Sequence, residues 1–233
     1  DTKRVIISEP ETIQKFRHTA IQIIDNYAKS NEKDRPPMMM VLDSLGQLSS
    51  TKELEDTTAG SETRDMTKAA TLKATFRVLN LKLAKVNVPL LITNHVYDVV
   101  GSYIPTKEMA GGSGLKYAAS TICFLTKKKD KDGTDIVGNI IKVKMAKSRF
   151  TKENKVVEVR LSYDKGLDRY YGLYELPGGT KVFGKAINAD PEKYFTKDIM
   201  EQLEKVASQE FLYGDYVREE DTEDQVPGQA VTG

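Results

Sequence analysis

Four short stretches of this 233-residue sequence hold side chains whose types and spacing could do chemistry. In "MMMVLDSLGQLSS", residues 38–50, five apolar residues run into Asp43, followed by the hydroxyl of Ser44 and then by small and turn-forming residues. A carboxylate delivered at the tip of a strand can hold a magnesium ion, or its water, beside the oxygens of a nucleoside triphosphate. It can also simply cap the turn after a core strand. A second apolar run, Leu90-Leu91-Ile92-Thr93, ends in the polar pair Asn94-His95. In "AGGSGLKYAAS", residues 110–120, glycines open a short helical stretch. Exposed backbone N–H groups there can bind an anion, and glycine can equally serve as a hinge. Finally Lys147 and Arg149 lie among Lys142, Lys144, Lys152 and Lys155, which on its own reads as a solvated basic edge.

These residues need elements to place them. Val5-Ile6-Ile7 is a short buried-strand candidate, and Ser8-Glu9-Pro10-Glu11 has the Ser-x-x-Glu spacing of a helix start. Ile13, Phe16, Ala20, Ile24 and Tyr27 recur at three- and four-residue intervals, which predicts a helix over 12–29. Met38 to Leu42 reads as a strand buried on both faces, so strand, helix and strand imply a parallel pair with a right-handed crossover. A second such unit follows: a helix over 66–85 with Leu72, Phe76, Leu79 and Leu83 on one stripe, then the strand at 90–93. Beyond it the pattern turns to β at 121–125, 140–145 and 157–163, where antiparallel additions are expected. A last amphipathic helix covers 196–208, with Thr196 as N-cap and Ile199, Leu203 and Val206 inward.

The predicted fold is α/β: a central, mostly parallel sheet flanked by helices, with antiparallel strands added at one edge. Ligands of such sheets sit beyond the carboxyl ends of the parallel strands, the edge that Asp43 and Asn94-His95 occupy. The sequence divides into a core over 1–176, a small extension with one helix over 177–214, and an acidic tail over 215–233. Residues 215–225 carry six acids against one arginine, which reads as a solvated tail or as a competitor for basic loops.

Bulk composition narrows the classes. A formal charge of +1 predicts no general preference for nucleic acid or for acidic ligands, so any such preference is local. One cysteine, Cys123, excludes an intrachain disulfide, and two histidines far apart offer no zinc spacing; His18 reads as structural. With no apolar stretch long enough to span a bilayer, a cytoplasmic protein without membrane contact is expected. Gly-x-x-x-x-Gly-Lys-Ser/Thr is absent before Asp43. A near match at Gly179 to Ala186 lacks the hydroxyl that would meet magnesium and reads as a β-hairpin turn.

The order of these stretches is more specific than any one of them. With "VLDSLGQLSSTKELED", "DMTKAATLKATFRVL", "ITNHVY", "AGGSGLKYAAS" and "KMAKSRF" in sequence, residues 4–176 resemble the RecA-type strand-exchange recombinases, most closely the UvsX branch of T4-like phages. A ring helicase or circadian-type ATPase of the same fold is disfavoured by the contiguous Asn94-His95 and the glycine segment. The resemblance implies ATP and Mg2+ as cofactors, a helical filament on single-stranded DNA, pairing with duplex DNA, and contact with mediator and single-strand-binding proteins.

It also implies roles. Asp43, with Ser44 beside it, would place magnesium through water, and Asn94 and His95 would sense the γ-phosphate. Residues 57–66 and 96–112 would be the two DNA-binding loops, with Arg64, Tyr97, Tyr103, Lys107, Gly111, Gly112 and Lys116 meeting phosphates or bases. Arg64 and Lys107 are otherwise ordinary surface charges. Lys147 and Arg149 would reach a neighbouring protomer's ATP. Tyr163 would lie near the nucleotide base, or else pack in a core strand.

In that family the phosphate loop and the glutamate that activates water lie upstream of residue 5, so this chain is expected to be a core truncated on its N-terminal side. Alone it should bind ATP poorly and hydrolyse it negligibly. A non-hydrolysing paralogue that binds DNA or a recombinase partner is the alternative.

Overall fold

The computed structural model describes residues 4–61, 65–98, 107–173 and 191–213. The chain divides into two compact units, Asp1–Ala119 and Ser120–Gly233.

In the first unit, helix α1 spans Ile13–Ala28, and its N-cap is Thr12, whose hydroxyl accepts the Lys15 N–H at 3.1 Å. The Ser8-to-Glu11 spacing therefore does not start the helix: residues 5–10 have no regular structure. Nor do Val5, Ile6 and Ile7 form a buried strand, being 62%, 85% and 82% exposed. A strand that short requires a neighbour to satisfy its backbone and cover its side chains. Among the described residues none pairs with it.

Strand β1, Met40–Leu42, pairs in parallel with β2, Leu90–Ile92, matching Leu42 to Ile92. Between them come α2, Thr51–Thr58, and α3, Lys68–Lys85. The expected stripe of α3 is buried at Leu72, Phe76, Leu79 and Leu83, and it joins Ile13, Phe16, Ala20 and Ile24 of α1 and Leu42, Leu45 and Leu48 in one core. Each such side chain contributes about 1.5–3 kcal/mol on full burial, so this cluster fixes the two strand tips.

β1 is not buried on both faces as expected. The pleat turns Leu42 into the core and Val41 outward, where Val41 and Leu91 are 56% and 55% exposed. The described helical residues cover one face only, and a continuous apolar run cannot report which of its faces is covered.

Beyond β2, strands β3, Val96–Asp98, and β4, Lys107–Met109, form an antiparallel ladder. Helix α4, Gly112–Ala118, closes the first unit.

The second unit contains a four-stranded antiparallel sheet in the order β5 (Thr121–Asp132), β6 (Asp135–Ser148), β7 (Val156–Ser162) and β8 (Gly166–Leu167). The antiparallel strands thus form a sheet of their own. Both long strands outrun their predicted bounds and meet at a two-residue turn, where Gly133 has φ +60°. Helices α5, Pro191–Tyr194, and α6, Lys197–Phe211, follow. Thr196 precedes α6 as its N-cap residue, though without a side-chain cap bond. Leu203 is buried and Ile199 packs beside it, with Phe195 stacked on Tyr170 at 4.8 Å.

Among the described residues no helix is long and apolar enough to cross a membrane. The near match at 179–186 and the tail over 215–233 lie outside the described residues.

Candidate functional site

The parallel ladder continues past the ends of β1 and β2. The Thr93 N–H donates to the Leu42 carbonyl at 3.0 Å, and the Leu45 N–H donates to the Thr93 carbonyl at 3.0 Å. Residues 43–45 and 93–95 are therefore held on one rim, beyond the carboxyl ends of both strands. Asp43 is exposed there, and the Thr93 hydroxyl donates to its Oδ1 at 2.5 Å. The Asp43–Ser44 peptide bond is cis.

Asn94 and His95 are fastened to the far side of the β3–β4 hairpin. The Asn94 carboxamide oxygen accepts the His95 N–H at 2.9 Å, and its Nδ2 donates to the Ala110 carbonyl at 2.7 Å. Ala110 returns the contact, donating its N–H to the His95 carbonyl at 3.0 Å. The His95 ring lies against Gly46, where a Cβ would come within 2.8 Å of Cδ2. Glycine at 46 thus admits the imidazole to the loop that follows Asp43.

The segment over 96–112 is not one open loop. It has a hairpin stem with Tyr97 opposite Glu108 and Asp98 opposite Lys107. Tyr97 and Lys107 are exposed on that stem. Gly111 and Gly112 have φ of +97° and +71°, a region costly for side chains other than glycine. Gly111 also abuts Leu72 and Leu45, so the return from the hairpin is seated on the core. Lys116 is exposed on α4.

The segment over 57–66 leaves from α2, a polar helix with no buried residue that apolar spacing does not predict. Ser50 caps this helix in a reciprocal box: its hydroxyl oxygen accepts the Glu53 N–H at 3.0 Å, while Glu53 accepts the Ser50 N–H at 3.2 Å. The Ser-x-x-Glu signal was present at 50–53 and would have located α2. Ser50 also donates its hydroxyl to Asp65 Oδ2, and Asp65 Oδ1 accepts from the Thr67 N–H at 2.7 Å and the Thr67 hydroxyl at 2.6 Å. These bonds, Ser50 foremost, hold the Asp65 carboxyl at about 2. Lys68 donates to Glu53 at 2.8 Å and lowers that carboxyl as well.

Lys147 and Arg149 belong to the second unit. Lys147 lies at the end of β6 and Arg149 just after it, its N–H donating to the Ser120 carbonyl at 3.1 Å. Between them Ser148 is buried, and its hydroxyl oxygen accepts the Phe150 and Thr151 N–H groups at 3.1 and 2.9 Å. Tyr163 does not pack in a core: it is 61% exposed, a position allowed by the short β8 beside it. Arg64 and Tyr103 lie outside the described residues.

An acidic strand tip and a polar strand tip on one rim, beyond the carboxyl ends of a parallel pair, have the layout of a ligand site in an open α/β sheet. The RecA N-terminal domain model matches residues 1–168, and the chain belongs to that family. It is 31% identical over 176 residues to the "Recombination and repair protein" of Enterobacteria phage T4, covering 76% of this chain and 44% of that protein. It is also 31% identical over 192 residues to "Protein RecA" of Chloroherpeton thalassium, covering 80% of this chain and 50% of the relative. A third relative, "Protein RecA" of Mycoplasma mycoides subsp. mycoides SC, is 25% identical over 236 residues, covering 90% and 64%. The chain thus spans about half the length of the first two relatives and 64% of the third. The solved structure titled "Crystal structure of the RadB recombinase" shares 20% identity at a TM-score of 0.45, over 70% of this chain and 62% of its own.

Proposed function

We propose that this chain is the core portion of an ATP-dependent DNA strand-exchange recombinase, acting in homologous recombination and recombinational repair. The observation that carries the reading is the shared rim: Asp43 and Thr93-Asn94-His95 sit together beyond the parallel pair, and Asn94 and His95 also fasten the base of the β3–β4 hairpin through Ala110.

The residues present fit the acidic half of a magnesium–nucleotide site. Asp43 supplies an exposed carboxylate oxygen ligand, direct or through water, with the hydroxyls of Ser44 and Thr93 adjacent. Bound there, Mg2+ would neutralise charge on the phosphates of ATP. Asn94 and His95 would report the state of that site to the hairpin, since Ala110 holds both. Exposed Tyr163 is available to a base.

Lys147 and Arg149 would act on a neighbouring protomer's ATP in a helical filament, where a cation supplied in trans makes hydrolysis depend on assembly. On the DNA side, Arg64, Lys107 and Lys116 would meet phosphates, Tyr97 and Tyr103 bases, and the Gly111-Gly112 turn the close approach of backbone. Single-stranded DNA would be bound first and then aligned with duplex DNA, with mediator and single-strand-binding proteins as further partners. The setting would be the cytoplasm, that of the host for a phage protein.

The test is titration of a labelled single-stranded oligonucleotide with the purified chain at rising salt, read by anisotropy. The expected outcome is binding that weakens steeply, with a slope of about −0.7 per phosphate contact. Salt-independent binding, or none at low salt, refutes the reading. ATP turnover by the chain alone is expected to be negligible. Turnover abolished by Asp43→Ala would refute that expectation.

A further inference from the structure

We infer that Asp65 is a positioning residue: with Ser50 it ties the start of α2 to the start of α3, and so sets how the flanks of the 57–66 segment are presented to single-stranded DNA. The inference rests on the DNA-binding role proposed for that segment.

The clamp is anchored in the core. Ser50 is 1% exposed, and its neighbours are tied to α1 by the Ile13 N–H on the Ser49 carbonyl at 2.9 Å and by the Thr51 N–H on Gln14 at 3.1 Å. From that point α2 runs out to its C-cap, Ala59, and the turn continues with the Gly60 N–H on the Thr57 carbonyl at 3.1 Å and the Ser61 N–H on the Asp56 carbonyl at 2.8 Å. The chain returns at Asp65, whose Oδ2 reaches back to the Ser50 hydroxyl while Oδ1 takes both Thr67 donors. A second tie, Lys68 to Glu53, lies alongside. The excursion that leaves with α2 is thus closed at one buried hydroxyl, where the Asp65 end of the segment is pinned, while α2 carries its other end. A binding segment carried on a helix at one end and clamped at the other before DNA arrives has less freedom to lose on binding.

The sign of the effect separates this role from a bland one. An aspartate beside a phosphate-binding segment repels DNA, so if Asp65 were only a surface charge, its removal would tighten binding. The clamp requires the reverse, because Asp65→Asn removes a carboxylate that accepts three hydrogen bonds.

The experiment compares wild type, Asp65→Asn and Ser50→Ala by anisotropy of a labelled oligothymidylate. Asp65→Asn is expected to weaken binding ~3- to 10-fold, the range that corresponds to losing one ordinary hydrogen bond, since the asparagine oxygen can still accept from Thr67. The slope of log affinity against log salt is expected to stay the same, since no phosphate contact is lost. Ser50→Ala is expected to act in the same direction, and the double variant to lose little more than either single one. Unchanged or tighter binding by Asp65→Asn overturns the inference.

Amide hydrogen exchange of the same proteins without DNA is the second readout. Faster exchange at Gly60, Ser61 and Thr67 with unchanged exchange at Phe76 and Leu79 is expected, and unchanged exchange at the first three overturns the clamp whether or not DNA binds. A wild-type chain that binds no DNA refutes the proposed function instead, and the exchange data then decide the clamp separately.

Discussion

The Thr93 hydroxyl donates to Asp43 Oδ1 at 2.5 Å, across the tips of the two parallel strands. This bond joins a carboxylate to the residue just before Asn94-His95, so the acidic and polar halves of the rim share one geometry. Removing the hydroxyl while keeping the β-branched shape tests its worth. Thr93→Val is expected to cost about 0.5–1.5 kcal/mol, the range for a bond that competes with water, measured by urea denaturation. A change within error would mean that the backbone ladder alone holds the rim.

The His95 ring depends on the missing Cβ of residue 46. Gly46→Ala is expected to displace the imidazole, shifting the NMR signals of Asn94, His95 and Ala110 together, because the three are hydrogen-bonded in series. Exposed His95 can move aside, so the stability cost should stay under about 1 kcal/mol. Gly138→Ala is the contrast: its Cβ would meet the Leu161 carbonyl of the neighbouring strand, which cannot yield. That variant should lose more than about 2 kcal/mol. Equal losses in both would contradict this account of the two glycines.

Acid should loosen the Ser50–Asp65 clamp. The Asp65 carboxyl falls from 3.8 to about 2 because the Ser50 and Thr67 donors favour its charged form. Its contribution to stability is therefore complete above the ordinary aspartate range and fades as pH drops from about 4 to about 2, where the unfolded chain takes up the proton first. Wild type should lose stability more steeply across that window than Asp65→Asn. Parallel acid-unfolding curves would show that the carboxylate contributes nothing.

The outward face of β1 makes a prediction of its own. Val41→Thr should change the stability of this chain by less than about 0.5 kcal/mol, whereas Leu42→Ala should cost about 2–4 kcal/mol. A large loss from Val41→Thr would restore the strand buried on both faces.

Much of the first unit could be read from residue spacing, because α1 and α3 each bury one stripe and spacing reports a stripe directly. The placement of Asp43 and Asn94-His95 on one rim followed from strand–helix–strand order alone. Helix α2 was overlooked because only Leu54 breaks its polar run and no residue of it is buried. The β3–β4 stem is three residues a side, too short for an alternation to be recognised. The far ends of β5 and β6 were missed for another reason: Lys127 to Lys131 are held by backbone pairing with 136–141, and a solvated ladder needs no apolar pattern. The apolar residues at 5–7 and 41 misled in the opposite direction, since hydrophobicity signals that a face can be covered and not that it is.

In the proposed function the rim at Asp43 and Asn94-His95 acts on DNA through the β3–β4 hairpin, which meets the single strand. Its most direct test is a photo-crosslinking amino acid in place of exposed Tyr97, irradiated with a single-stranded oligonucleotide, with the equally exposed Tyr213 of the second unit as control. Crosslinks at position 97 and few at 213 are the predicted result. Crosslinks at 213 with none at 97 would contradict it.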